Sequence, residues 1–145
     1  MKFEKIILEN FSSYCGKHII EFNTSEQKPV TVIVGGSGFG KTSIFDAINW
    51  ALYGSQYESI LLSQSEKAIT DYVNETAVKQ AARSKQAVEM SCSLFFEHDG
   101  KHYRIEQEIV GKKTNERVTL TDRASSLYQH MSTGNFEPVT YTESF

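Results

Sequence analysis

The chain has 145 residues, of which 39% are hydrophobic, with 15 Lys and Arg against 18 Asp and Glu and a net charge of -3. That balance excludes a globally basic nucleic-acid binder and leaves any such contact to a local patch, while the length allows one domain or a large lobe of one. Two cysteines are too few for a disulfide framework, and with neither a long apolar run nor a signal peptide the expected location is cytoplasmic, with no membrane partner.

In chain order, MKFEKIILENF at residues 1–11 reads as a strand, SSYCGK as a turn and HIIEF as a second strand. Val30, Thr31, Val32, Ile33 and Val34 form a β-branched run after Pro29, which predicts a short buried strand. Behind a glycine-rich stretch, Ile44, Ile48, Ala51 and Leu52 recur at helical spacing and Gly54 follows as a stop, predicting a helix over 41–53. From Ser55 to about Gln86 the chain turns polar, and SEKAITDYVNETAVKQAARSKQ predicts either a modestly amphipathic helix or a mobile connection. Val88, Met90, Cys92, Leu94 and Phe96 then alternate with more polar residues, which requires a strand with one buried face. Asp99-Gly100 supplies a tight turn, and Tyr103, Ile105 and Ile109 carry the apolar face back. After GKKTNE a third strand is expected from Val118 to Thr121, with SLYQHM and EPVTYT extending the meander. The organisation is therefore 1–54 (strands, loop and helix), 55–86 (polar connection) and 87–145 (antiparallel meander). Cys92 reads as a buried reduced thiol, and Cys15, in a turn, is open to either reading.

The stretch between run and helix carries the chemistry. Gly35, four residues, Gly40, Lys41 and Thr42 fit the phosphate-binding spacing G-x-x-x-x-G-K-[ST] without a gap. Glycines oppose folding unless the backbone itself is the working part. Strand, glycine loop and helix in this order bring backbone N–H groups and a positive helix end onto one anion. Gly35, Gly36, Ser37, Gly38, Phe39, Gly40, Lys41, Thr42 and Ser43 are the candidate nucleotide-binding residues. Lys41, the candidate catalytic residue, would reach the β- and γ-phosphates of ATP, and the Thr42 hydroxyl would hold Mg²⁺.

Hydrolysis also needs an acid for the metal, usually ending an apolar strand. No run of four apolar residues followed by Asp-Glu occurs; Glu97 in SLFFEHD and Glu9 in KIILEN come closest, and each reads as a solvated strand end. Neither N-K-x-D nor D-x-x-G is present, which argues against a GTPase. The site reads as half built.

MKFEKIILENFSSYCGKHIIEF and GKTSIFDAINWALYG together resemble the N-terminal lobe of the SMC-like ATPases. That group includes chromosome condensation proteins, the double-strand-break repair ATPase, the RecF and RecN proteins, and DndD-type or Lamassu-type phage-defence ATPases. Asn10, Phe11, Ser13, Tyr14, Gly16, Asp46, Ala47, Ile48, Leu52 and Gly54 match the family layout. The likeness is specific over residues 1–54 and architectural beyond them. Three positions depart: Ser37 stands where the family often has Asn, Phe39 where it has a small residue, and Ser12 where many members have an arginine that helps hold nucleotide.

The resemblance implies an α/β P-loop NTPase fold of the ABC/SMC-head type, with mixed and antiparallel sheet. It also implies an ATPase whose two heads sandwich ATP and dimerise, joined through a coiled coil to a C-terminal lobe that supplies the signature motif and acidic strand end. On that basis the chain is expected to be part of a longer protein and inactive alone. A homodimeric second head, DNA, and a nuclease or other effector are the implied partners. Another P-loop enzyme, of transporter or nucleotide-kinase type, and a non-hydrolytic binding module are the alternatives. Lys101, His102, Arg104, Lys112, Lys113 and Arg117 form a basic cluster that suggests DNA contact, against which Glu106, Glu108 and Glu116 are interleaved. The histidines show no metal-ligand spacing.

Overall fold

The structure is a computed structural model and describes residues 1–115 and 117–139. Strands β1 (Lys2–Phe11) and β2 (Tyr14–Glu21) form a first hairpin. Three helices follow, α1 (Lys41–Tyr53), α2 (Ser55–Ser65) and α3 (Glu75–Arg83), with a 3₁₀ turn at Ile69–Tyr72 between the last two. The chain then builds β3 (Val88–His98), β4 (Lys101–Thr114), β5 (Arg117–His130) and β6 (Phe136–Pro138). All six strands lie in one sheet of order β2-β1-β3-β4-β5-β6, and every strand pairing among the described residues is antiparallel.

Alternation in β1 and β3 decides which face is dry. Ile6 and Leu8 from β1 and Met90, Cys92 and Leu94 from β3 are fully buried against Ala47, Trp50 and Ala51 of α1. Each such aliphatic side chain contributes roughly 1.5–3 kcal/mol by leaving water, so this seam anchors α1 to the sheet. The Cys92 thiol reaches the Ala47 carbonyl at 3.3 Å, and burial pushes its pKa up, which keeps it protonated and inert. Cys15 is exposed.

The β3–β4 hairpin turns at Asp99 and Gly100, both at positive φ as a two-residue turn demands, and its register runs unbroken from His98↔Lys101 to Val88↔Gly111. The connection over 55–86 is not one helix but forms three pieces, α2, the 3₁₀ turn and α3. Leu61, Ile69, Val73, Ala77 and Val78 are buried, and Asn74 caps α3 by accepting from the Thr76 and Ala77 amides. Strand β5 extends well beyond the expected Thr121 because it pairs with β4 along its whole length, through the polar stretch 122–126 where no alternation announces it. The expected extension through EPVTYT is represented by β6 at Phe136–Pro138, and residues 140–145 lie outside the described residues.

One strand expectation fails. Residues 30–34 are not a strand, and Val30, Val32 and Val34 are 75%, 74% and 84% exposed. A β-branched run adopts a strand only where neighbouring strands accept its backbone groups, and among the described residues no strand pairs with it. The segment is tethered by the Thr31 hydroxyl, which donates to the Phe22 carbonyl.

Candidate functional site

Helix α1 begins at Lys41, as its pattern predicts, and the residue before it sets its direction. Gly40 has φ +82 and ψ +12, a left-handed conformation that residues with a side chain rarely adopt. No side chain caps the helix and its first turn holds no acidic residue, so the N-terminal amides stay available to an external anion.

Two of the loop glycines are also sites of close approach. A Cβ at Gly36 would stand 3.0 Å from the Phe39 ring, and one at Gly40 would stand 3.0–3.1 Å from the ring and hydroxyl of Tyr14. Phe39 itself is 78% exposed and its ring lies over Gly36.

The Lys41 ammonium folds back over the loop and donates to the Gly35 carbonyl at 2.7 Å and to the Gly36 carbonyl. Lys41, Thr42 and Ser43 line one cleft of about 460 Å³ with Ser37, Gly38, Gly40 and Ser13. The structure thus gathers Ser37, Gly38, Gly40, Lys41, Thr42 and Ser43 in one place, with Gly35 and Gly36 joined to it through Lys41, while Phe39 does not line the cleft. Ser43 points inward: it is buried, and its hydroxyl donates to the Ser12 hydroxyl at 2.8 Å.

The donor set fits a metal-bound nucleotide. Backbone N–H groups, an ammonium and a hydroxyl converge, and Mg²⁺ commonly takes few protein ligands beside phosphates and water. Thr42 would be one such ligand. No cluster of His, Cys, Asp or Glu suited to holding a metal occurs among the described residues. Glu97 accepts from the Gly100 amide at 2.9 Å in the β3–β4 turn, faces Lys2 across the sheet and lines a cleft with Pro29, Thr31 and Ile33, the segment that enters the loop.

Sequence reasoning did not place Ser13 in this cleft or find the Ser12–Ser43 bond. The N-F-x-S-Y motif was the signal for both, because that motif forms the β1–β2 turn beside α1.

The basic cluster divides. His102 pairs with Glu4 at 2.8 Å, and the Arg104 guanidinium sits 4.2 Å over the Tyr128 ring. Lys112 and Lys113 lie roughly 25 Å further along β4, at about 3.3 Å per residue. There they line a cleft of about 350 Å³ with Lys85, Gln86, Asn115 and Ala82. Lys85 came from the other side of β3 in sequence and was not expected. Glu116 lies outside the described residues.

Residues 5–136 match the family model described as AAA domain. The chain is 31% identical over 137 residues to the SbcC component of the nuclease SbcCD of Vibrio cholerae, covering 90% of this chain and 12% of that protein. It is 42% identical over 57 residues to arcadin-4 of Pyrobaculum calidifontis, covering 39% and 6%. It is 26% identical over 121 residues to the chromosome partition protein Smc of Fusobacterium nucleatum, covering 83% and 9%. The chain therefore spans about an eighth or less of the length of these relatives.

Proposed function

The chain belongs to the AAA domain family and carries the N-terminal region of an SMC-like ATPase head, and from that premise we propose that it is the ATP-binding lobe of an ATPase that acts on DNA. The observation that carries this reading is the uncapped N-terminus of α1, with Gly40 at positive φ and Lys41 and Thr42 opening into one cleft. An anion bound there meets free amides, the positive end of a 13-residue helix and an ammonium group. Bound Mg-ATP supplies the reacting phosphates. Lys41 would hold their β- and γ-oxygens, and Thr42 the metal.

The exposed run Val30–Val34 supports a second part of the proposal. A further lobe of the same protein pairs with this run, converting it to a strand and the antiparallel sheet to a mixed one. That lobe also supplies the acid that the half-site lacks. A second head closes over the nucleotide, so ATP drives dimerisation. The name of the Vibrio relative, a component of a nuclease, makes a nuclease the favoured effector partner, and the expected setting is the cytoplasm.

Calorimetric titration tests the central claim. Mg-ATP should bind at one site per chain and inorganic phosphate more weakly, and the complete protein should release phosphate from ATP. No heat with millimolar Mg-ATP would overturn the assignment, and binding without phosphate release would leave a non-hydrolytic module.

For DNA, Lys85, Lys112 and Lys113 replace the longer cluster as the proposed contact. Reversing Lys112 and Lys113 to Glu in the complete protein should weaken duplex binding. It should also lower the slope of log affinity against log salt by about 2, since each neutralised phosphate contributes about 0.9. An unchanged slope would return both lysines to the solvated surface.

A further inference from the structure

The β1–β2 turn touches the phosphate loop from below, and its contacts with the loop converge on the residue that aims α1. Tyr14 lies opposite Phe11 at the closed end of the hairpin. Its hydroxyl donates to the Gly40 carbonyl at 3.3 Å, and its ring fills the space where a side chain on Gly40 would otherwise stand. The same carbonyl accepts the Ile44 amide at 3.2 Å, the first hydrogen bond of α1. Gly40 is thus held between helix and tyrosine.

The turn that carries Tyr14 is itself fixed. Ser12 donates its amide to the Tyr72 carbonyl at 2.5 Å and accepts at its own carbonyl from the Asn74 side chain at 2.7 Å. Asn10 accepts the Gly16 amide at 2.9 Å and donates to the Glu89 carbonyl at 2.9 Å, tying both sides of the turn to the sheet. The His18 ring stands edge-on to Tyr14 with centroids 5.3 Å apart. Tyr14 is therefore a fixed post, and burial raises its pKa, which keeps the donating proton in place at physiological pH.

From this geometry we infer that Tyr14 is a positioning residue for nucleotide binding, holding Gly40 in its left-handed conformation so that the first-turn amides of α1 and Lys41 face the phosphates together. A residue with φ +82 has alternatives once its neighbours are removed, and glycine reaches them at little cost. Without Tyr14, Gly40 gains that freedom, and the cradle must be reassembled at each binding event, which lowers apparent affinity by the fraction of time the competent form is present. The inference rests on the nucleotide reading above, and it concerns binding geometry, not the chemical step.

The test compares wild type, Tyr14→Phe and Tyr14→Ala in the complete protein. Without nucleotide, exchange of the Ile44 amide, which is bonded to the Gly40 carbonyl, should quicken at least fivefold in Tyr14→Ala, while Met90 to Leu94 in β3 stay protected. With Mg-ATP, calorimetry should show about a threefold weaker affinity for Tyr14→Phe, which keeps the ring, and tenfold or more for Tyr14→Ala. Tyr14→Phe should melt with wild type, so its loss of affinity cannot come from unfolding. Equal affinity of all three proteins, or exchange of the Ile44 amide unchanged in Tyr14→Ala, would overturn the role of Tyr14 and leave the nucleotide site standing. Failure of wild type itself to bind Mg-ATP would overturn the nucleotide reading and this inference with it.

Discussion

Replacing Lys41 by Ala should weaken Mg-ATP binding by about 10- to 100-fold and abolish ATP turnover by the complete protein, with the melting temperature unchanged. The ammonium makes hydrogen bonds to the Gly35 and Gly36 carbonyls and no ion pair among the described residues, so its removal takes away little of the fold. Those carbonyls face solvent and can be satisfied by water. On the nucleotide side the loss is of a charge-assisted bond to phosphate, worth roughly 1.5–3 kcal/mol in the ground state. More is lost as charge develops on the transferring phosphoryl group, which is why turnover should fall further than affinity. Lys41→Arg should rescue poorly, because a wide planar guanidinium cannot take the place of a compact ammonium at a phosphate held close to the backbone. Calorimetry, phosphate release and thermal melting on the three proteins check this. Loss of soluble protein in Lys41→Ala would make Lys41 structural, and unchanged affinity would remove it from the site.

Legibility from sequence followed how local each determinant is. The phosphate loop and α1 were readable because glycine spacing and helical periodicity are encoded within a few residues, and the observed helix begins and ends at Lys41 and Tyr53 as its pattern demands. The β3–β4 hairpin was equally local, since Asp99-Gly100 and the buried alternation from Val88 to Phe96 specify turn and register together. What escaped depends on partners distant in the chain. Ser13 enters the candidate cleft only because the β1–β2 turn packs beside α1, and Lys85 meets Lys112 and Lys113 only because β3 and β4 pair to their ends. The polar middle of β5 is a strand because β4 lies alongside it. Residues 30–34 are the converse case, in which composition specifies a strand and no neighbour among the described residues completes it.

That converse case makes the last expectation quantitative. In the complete protein, amide exchange across residues 30–34 should slow by at least a hundredfold relative to residues 1–145 alone, and only the complete protein should release phosphate. The exposed apolar side chains of Val30, Val32 and Val34 would each gain roughly 1.5–3 kcal/mol on burial, and their backbone groups would gain strand partners. Docking there would stiffen the entry to the loop at Gly35 and would bring in the acid needed beside the metal. Of the acids among the described residues, the two strand-end glutamates are the ones to weigh as substitutes. Glu97 faces Lys2, roughly 30 Å of strand from Phe11 at about 3.3 Å per residue, while Glu9 faces Lys17 and Ser91 two residues before Phe11. Glu9, two residues before the β1–β2 turn, and Glu97, which shares a cleft with Ile33, are therefore the acids to test, by Glu9→Gln and Glu97→Gln. Light scattering with and without ATP on the same two proteins reports whether dimers form only when the remainder is present. Robust turnover by residues 1–145 alone, lost in Glu9→Gln or in Glu97→Gln, would show that this chain completes its own site and that the exposed run at 30–34 serves another purpose.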